Sequence, residues 1–225
     1  MKINLLLAYE MFMIIIDGKK TRAALFDLDG VVFDTEGQYT LFWGSQCRLY
    51  HPDKPGLEYQ IKGQTLVQIF DKYFADLQGE QPKIVARLEE YERKMDYSYI
   101  DGLVDFVFGL RRAGIKTAVV TSSNLAKMEA VYSSRPEFKE MFDAILTAED
   151  FDRSKPDPDC YLKAAARFCV RPDECFVFED SFDGLKAGSA AGMTVVGLAT
   201  TNPVETINPF CDIVVKDFRK FGIKK

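Results

Sequence analysis

The chain has 225 residues, 47% of them hydrophobic, with 34 acidic and 29 basic side chains and a net charge of −5 near neutral pH. That length and apolar content bury a full core and suit one generous domain, or a main domain with a smaller insert. The acidic balance argues against a nucleic-acid partner, since the densest basic stretches are only Lys19, Lys20 and Arg22 and the tail pair Lys224 and Lys225.

In chain order, the run from Ile3 to Ile16 is mostly apolar, but Glu10 interrupts it and no small-x-small cleavage pattern precedes Asp17. It is too short to span a bilayer, so residues 1–20 read as an N-terminal extension, either an extra strand or a loose segment. The first core strand is expected over about residues 22–28. Its end, Phe26-Asp27-Leu28-Asp29-Gly30, places two carboxylates two positions apart. Alternate residues of an extended segment point the same way, so Asp27 and Asp29 project together, about 6–7 Å apart. Two carboxylates aimed at one spot repel, which a divalent cation or a chemical task explains better than packing does.

Residues 36–99 then read as a helical insert, with helical periodicity at Tyr39–Tyr50, Leu66–Leu77 and Ile84–Tyr97 and breaks at residues 51–56 and 79–82. From Gly102 onward strands alternate with helices. The strands fall at Thr117–Thr121, Ala144–Thr147, Cys175–Phe178, Thr194–Leu198 and Ile213–Val215. The helices fall at Leu103–Arg112, Leu125–Tyr132, Pro158–Phe168 and Phe182–Ala191. This rhythm predicts an α/β fold, a doubly wound parallel sheet formed by residues 1–35 and 100–225, interrupted after its first strand by the helices of residues 36–99. Five cysteines (Cys47, Cys160, Cys169, Cys175 and Cys211) are odd in number and lack a C-x-x-C pair, so they are expected as reduced thiols of a cytoplasmic protein.

In such sheets ligands bind beyond the carboxyl ends of the strands. There the sequence delivers Asp27 and Asp29, then Thr121-Ser122-Ser123-Asn124, then Ser154-Lys155-Pro156-Asp157-Pro158, and finally Glu179-Asp180-Ser181 with Gly184, Gly188 and Gly192 behind it. Each has an ordinary structural explanation: Asp-x-Asp-Gly as a turn, Thr-Ser-Ser-Asn as a helix cap, Lys155 as a solvated lysine, and Glu179-Asp180 as acids favoured by a helix dipole. Together they are carboxylates for a metal, hydroxyls and a helix N-terminus for an anion, and a lysine to offset negative charge. That set suits phosphoryl transfer.

These four motifs, with Asp34-Thr35-Glu36, resemble the haloacid dehalogenase superfamily and, within it, the β-phosphoglucomutase-like branch of phosphatases and mutases; the resemblance covers about residues 22–218. It implies a Rossmann-type core with a helical cap, Asp27 as the nucleophile that accepts the phosphoryl group, and Asp29 as the acid/base. It further implies that Thr121 and Lys155 hold the phosphate with Ser122 and Asn124, and that Mg²⁺ sits on Asp27, the backbone carbonyl of Asp29 and Asp180, with Glu179 as ligand or support. Lys62-Gly63-Gln64 resembles the cap's substrate-contacting segment. Two departures bear on the reaction. Tyr39 stands where β-phosphoglucomutases carry a cap histidine, and Gln64-Thr65-Leu66 stands where they carry an arginine for a second phosphate. The lone histidine, His51, reads as a surface residue. The expectation is a Mg²⁺-dependent phosphatase, monomer or weak homodimer, acting on a small phosphorylated metabolite such as a sugar phosphate, with no nucleic-acid or membrane partner. The alternatives are a sugar-phosphate mutase and a non-catalytic metabolite-binding module.

Overall fold

In the computed structural model, which describes residues 14–224 apart from Lys19 and Gly63, the chain opens with β1 (Ile14–Asp17) and β2 (Ala23–Phe26). Four helices follow: α1 (Glu36–Tyr50), α2 (Glu58–Ile61), α3 (Leu66–Tyr73) and α4 (Gln81–Glu92). The remainder alternates as α5 (Leu103–Arg112), β3 (Lys116–Val120), α6 (Leu125–Ser134), α7 (Phe138–Met141), β4 (Ala144–Leu146), α8 (Asp159–Arg167), β5 (Cys175–Glu179), α9 (Phe182–Ala190), β6 (Thr194–Leu198), α10 (Val204–Ile207), β7 (Ile213–Val215) and β8 (Phe221–Lys224).

Six strands form one parallel sheet in the order β4-β3-β2-β5-β6-β7, the doubly wound arrangement that the alternating pattern predicts. β2 is buried at all four positions, as a central strand covered on both faces must be. The period of two divides it cleanly. Ala24 and Phe26 face one layer with α5 and α6, where Phe26 stacks on Phe178 at 4.6 Å, while Ala23 and Leu25 face the other layer with Tyr161 and Ala164 of α8. The helices of residues 36–92 build a separate core around Phe42, Trp43, Ile69, Phe74 and Leu88.

Three expectations need correction. The helix read as Ile84–Tyr97 starts at Gln81, with Pro82 in the first turn where its missing N–H costs nothing, and ends at Glu92. Met95 and Tyr97 continue the apolar pattern only because they turn into the main core, where the Tyr97 hydroxyl donates to the Glu92 carbonyl at 2.8 Å. The helix read as Leu66–Leu77 ends at Tyr73 and gives way to a 3₁₀ turn, Ala75–Leu77. His51 is half-buried rather than superficial, with its ring 5.0 Å from Phe74. In the N-terminal extension, β1 pairs in parallel with β8 as a separate two-stranded sheet, and residues 1–13 lie outside the described residues. All five cysteines are free thiols. Among the described residues no helix is long and apolar enough to cross a membrane.

Candidate active site

Strand order reverses between β2 and β5, so a crevice opens where their carboxyl ends lie side by side. Phe26 pairs with Phe178, and the Asp27 N–H donates to the Phe178 carbonyl at 3.0 Å. That register sets Asp27 level with Glu179, with Asp180 one residue beyond. Two glycines allow the acids to close in. Gly30, at φ +74°, leaves a gap that a Cβ would fill at 2.1 Å from Asp180 Oδ2, and a Cβ on Gly184 would lie 1.8 Å from Glu179 Oε1.

Lys155 reaches this acidic cluster from the loop before α8. Its buried ammonium donates to Asp27 Oδ1 and Glu179 Oε1, both at 2.6 Å, and to the Val120 carbonyl at 3.1 Å. Burial alone would lower the lysine's pKa, but Asp27 and Glu179 outweigh it and hold the ammonium above the ordinary lysine range. Burial raises Asp27 to about 7, with Lys155 pulling it back and the charges of Glu179 and Asp29 pushing it up. Glu179 has no lone pair to spare. It accepts from Lys155 and Tyr161 on one oxygen, and from the backbone of Asp180 and the backbone and hydroxyl of Ser181 on the other. Asp180 accepts from the Thr201 hydroxyl. Burial and the charges of Glu36, Glu179 and Asp27 push its pKa well above the usual carboxylate range.

Asp29 turns away from this cluster. Its oxygens accept from Thr35 Oγ1 at 2.6 Å and Ser123 Oγ at 3.4 Å, and they ion-pair with the buried ammonium of Lys127. The Lys127 ammonium also sits 4.6 Å from the centre of the Tyr39 ring, whose hydroxyl donates to Glu92 Oε1 at 2.8 Å. A continuous chain therefore runs from Asp29 through α6 to helices α1 and α4. Burial, then the charges of Asp29 and Glu92, raises the Tyr39 phenol well above its ordinary range, which keeps it a neutral donor.

These groups open into one cavity of about 510 Å³, lined on the core side by Asp27, Asp29, Thr121, Ser122, Asn124 and Lys155. The opposite side comes from the helical insert, and Lys62 and Gln64 are among its lining residues. Gly63 lies outside the described residues. Thr121 is buried, and its hydroxyl accepts from the Ser123 N–H at 3.0 Å. Asn124 caps α6, accepting from the Lys127 N–H at 3.0 Å, so its ordinary structural role is filled as well. Lys62 lies 3.8 Å from Glu36, and the Gln64 amide donates within the insert to the Tyr73 hydroxyl at 3.3 Å.

Carboxylate oxygens of Asp27, Glu179 and Asp180 lie within 4.8 Å of one another. Hard oxygen donors on buried carboxylates, offset by Lys155 alone, fit a small divalent cation such as Mg²⁺. Because Glu179 is saturated by hydrogen bonds, the oxygens with capacity left are those of Asp27 and Asp180.

A family model described as haloacid dehalogenase-like hydrolase matches residues 21–192. The chain belongs to this family. It is 27% identical over 201 residues to the validoxylamine A 7'-phosphate phosphatase of Streptomyces hygroscopicus subsp. limoneus, covering 87% of this chain and 93% of that protein. To the fructose-1-phosphate phosphatase YqaB of Escherichia coli it is 32% identical over 188 residues, covering 76% and 93% of the two chains. Among solved structures it superposes on a HAD hydrolase of family IA, variant 3, from Entamoeba histolytica with a TM-score of 0.77, at 23% identity and 90% and 96% coverage.

In this haloacid dehalogenase-like chain, sequence reasoning did not single out Lys127, Tyr161, Thr201 or Glu36 as site groups. Lys127 carried one signal. A lysine in the first turn of a helix opposes the macrodipole and calls for a nearby carboxylate. Glu36 is pushed to about 7 by burial and by the charge of Asp29, against Lys62 and Lys127, and nothing local in the sequence announces that. Tyr161 and Thr201 reach the site from a helix face and a distant loop, which only the sheet topology brings together.

Proposed function

We propose that this haloacid dehalogenase-like hydrolase is a Mg²⁺-dependent phosphatase that hydrolyses a small phosphorylated metabolite through an aspartyl-phosphate intermediate. The observation that carries the reading is the Asp27 carboxylate, nearly buried at the head of the cavity and hydrogen-bonded at 2.6 Å to a lysine shared with Glu179. The phosphatases it is similar to are named for different substrates with one feature in common, a phosphoester, and that feature is adopted here.

Asp27 attacks phosphorus and the ester P–O bond breaks, leaving the phosphoryl group on Asp27. Asp29, oriented by Lys127, Thr35 and Ser123, gives its proton to the departing alcohol oxygen. It then takes a proton from water, whose oxygen attacks phosphorus and frees phosphate, restoring both aspartates. Lys155 and the Thr121 hydroxyl hold phosphoryl oxygens, while Ser122 and the N-terminus of α6 line the same end of the cavity. Asp27 and Asp180, with the backbone carbonyl of Asp29, would hold Mg²⁺, and Glu179 would fix its neighbours. When bound, the ion supplies charge neutralisation between an anionic nucleophile and an anionic ester. Tyr39 offers no base where a mutase places its histidine, so the phosphoryl group passes to water rather than to a second sugar hydroxyl.

The test is phosphate release from p-nitrophenyl phosphate and a panel of metabolite monoesters. Turnover is expected with Mg²⁺, and loss is expected with chelator and in Asp27→Asn. If no phosphomonoester is turned over, the reading is wrong. Dependence on a bisphosphate activator, with little net phosphate release, would favour the mutase.

A further inference from the structure

The insert's half of the cavity has a composition of its own. Trp43, Leu66, Phe70, Val85 and Leu88, drawn from α1, α3 and α4, form an apolar wall. The charged groups set in it are Glu36, Glu58, Glu89 and Glu92 against a single cation, Lys62. Lys62 faces Glu36 at 3.8 Å, an ion-pair contact without a hydrogen bond. The two other cavity lysines are held at the core end, Lys127 on Asp29 and Lys155 on Asp27 and Glu179. Among the described residues no arginine lines the cavity, and Glu58 and Glu89 enter no salt bridge.

A second phosphate or a carboxylate on the leaving group would therefore stand before an acidic set led by Glu58 and Glu89, answered only by the Lys62–Glu36 pair, against walls that screen charge poorly. A polyol would find acceptors at Glu58 and Glu89 but would exchange water for hydrocarbon where it lies along Trp43, Leu66 and Phe70. An apolar body gains from the same wall, and a remote cation gains from the carboxylates.

Building on the phosphatase reading, we propose that the substrate is a singly phosphorylated ester whose leaving alcohol has an apolar, ring-sized body and no second negative charge, with an amine at its far end as the best match to Glu58 and Glu89. The carboxylates discriminate by charge and the wall by polarity, so the two can be tested with probes that differ in one respect each.

The enzyme with Mg²⁺ is assayed on 4-(aminomethyl)benzyl, 4-methylbenzyl and 4-carboxybenzyl phosphate, a series of nearly constant shape, and on a hexitol monophosphate. The expected kcat/KM falls from amine to methyl to carboxylate, with at least a tenfold span between the ends, and the hexitol ester falls below the methylbenzyl ester. Glu89→Lys is expected to narrow or invert the charge order. Glu89→Gln, a milder change, should narrow it without inversion. A span under tenfold, a hexitol ester turned over faster than the methylbenzyl ester, or a charge order that neither variant alters would overturn the proposal while leaving the phosphatase intact. If p-nitrophenyl phosphate is inert as well, the phosphatase reading itself fails and the substrate class falls with it.

Discussion

Lys127 is the side chain whose removal most directly tests how the site is wired. It is 4% exposed and its partner Asp29 is 17% exposed, so Lys127→Met keeps most of the packed stem while leaving a nearly buried carboxylate without its cation. Deleting one partner of a buried ion pair costs roughly 3–5 kcal/mol. Asp29 retains the Thr35 and Ser123 hydroxyls and some solvent, which brings that to about 2 kcal/mol, and losing the cation over Tyr39 adds roughly 0.5–1 kcal/mol. For a chain of this length the sum lowers the melting temperature by about 5–10 °C. The same change should loosen Asp29 as a proton donor, and that is read by leaving group. An alkyl phosphate, whose alkoxide must be protonated as it leaves, should lose roughly 100-fold in kcat. p-Nitrophenyl phosphate, whose phenolate departs unaided, should lose less than about tenfold. Thermal unfolding and the two-substrate comparison together are decisive. An unchanged melting temperature, or equal losses on both esters, would refute the proposed link between Lys127 and Asp29.

Other outcomes follow from the same geometry. Burial and Asp29 raise Glu36 to about 7, so the native state holds a proton that the unfolded chain has released. Stability therefore falls as pH rises from about 4.5 to about 7, and Glu36→Gln should gain up to roughly 3 kcal/mol over wild type at pH 8 but little at pH 4 in denaturant unfolding. Mg²⁺ should raise the melting temperature of wild type, and Asp180→Asn should largely abolish that shift; an undiminished shift would remove Asp180 from the ion site. Gly184→Ala places a methyl group 1.8 Å from Glu179 Oε1, so a loss of about 2–3 kcal/mol is expected together with loss of phosphate release; a variant of wild-type stability and activity would count against this crowding.

Much of the fold was legible in the sequence because its strands are short, β-branched and separated by helices, and because a parallel sheet exposes chemistry only at strand ends. Asp27, Thr121, Lys155 and Asp180 sit at such ends or in the loops beyond them, which is why contiguous motifs revealed them. Lys127 lies in a helix whose spacing looks unremarkable, and its importance depends on Asp29, 98 residues earlier. The helix read as Ile84–Tyr97 ran too far for a related reason. Periodicity marks residues as buried without saying which core buries them, and Met95 and Tyr97 belong to the main core rather than to the insert's own.

The pairing of every cavity lysine with a carboxylate has a consequence for the order of events. With Lys62, Lys127 and Lys155 all engaged, a phosphate dianion approaching the unmetallated protein meets a surplus of negative charge. On the phosphatase reading, ester affinity is expected to depend on the divalent ion, and by reciprocity the ion should then bind more tightly once the ester is present. The two ligands would then hold each other in place, so that losing either one loosens the other.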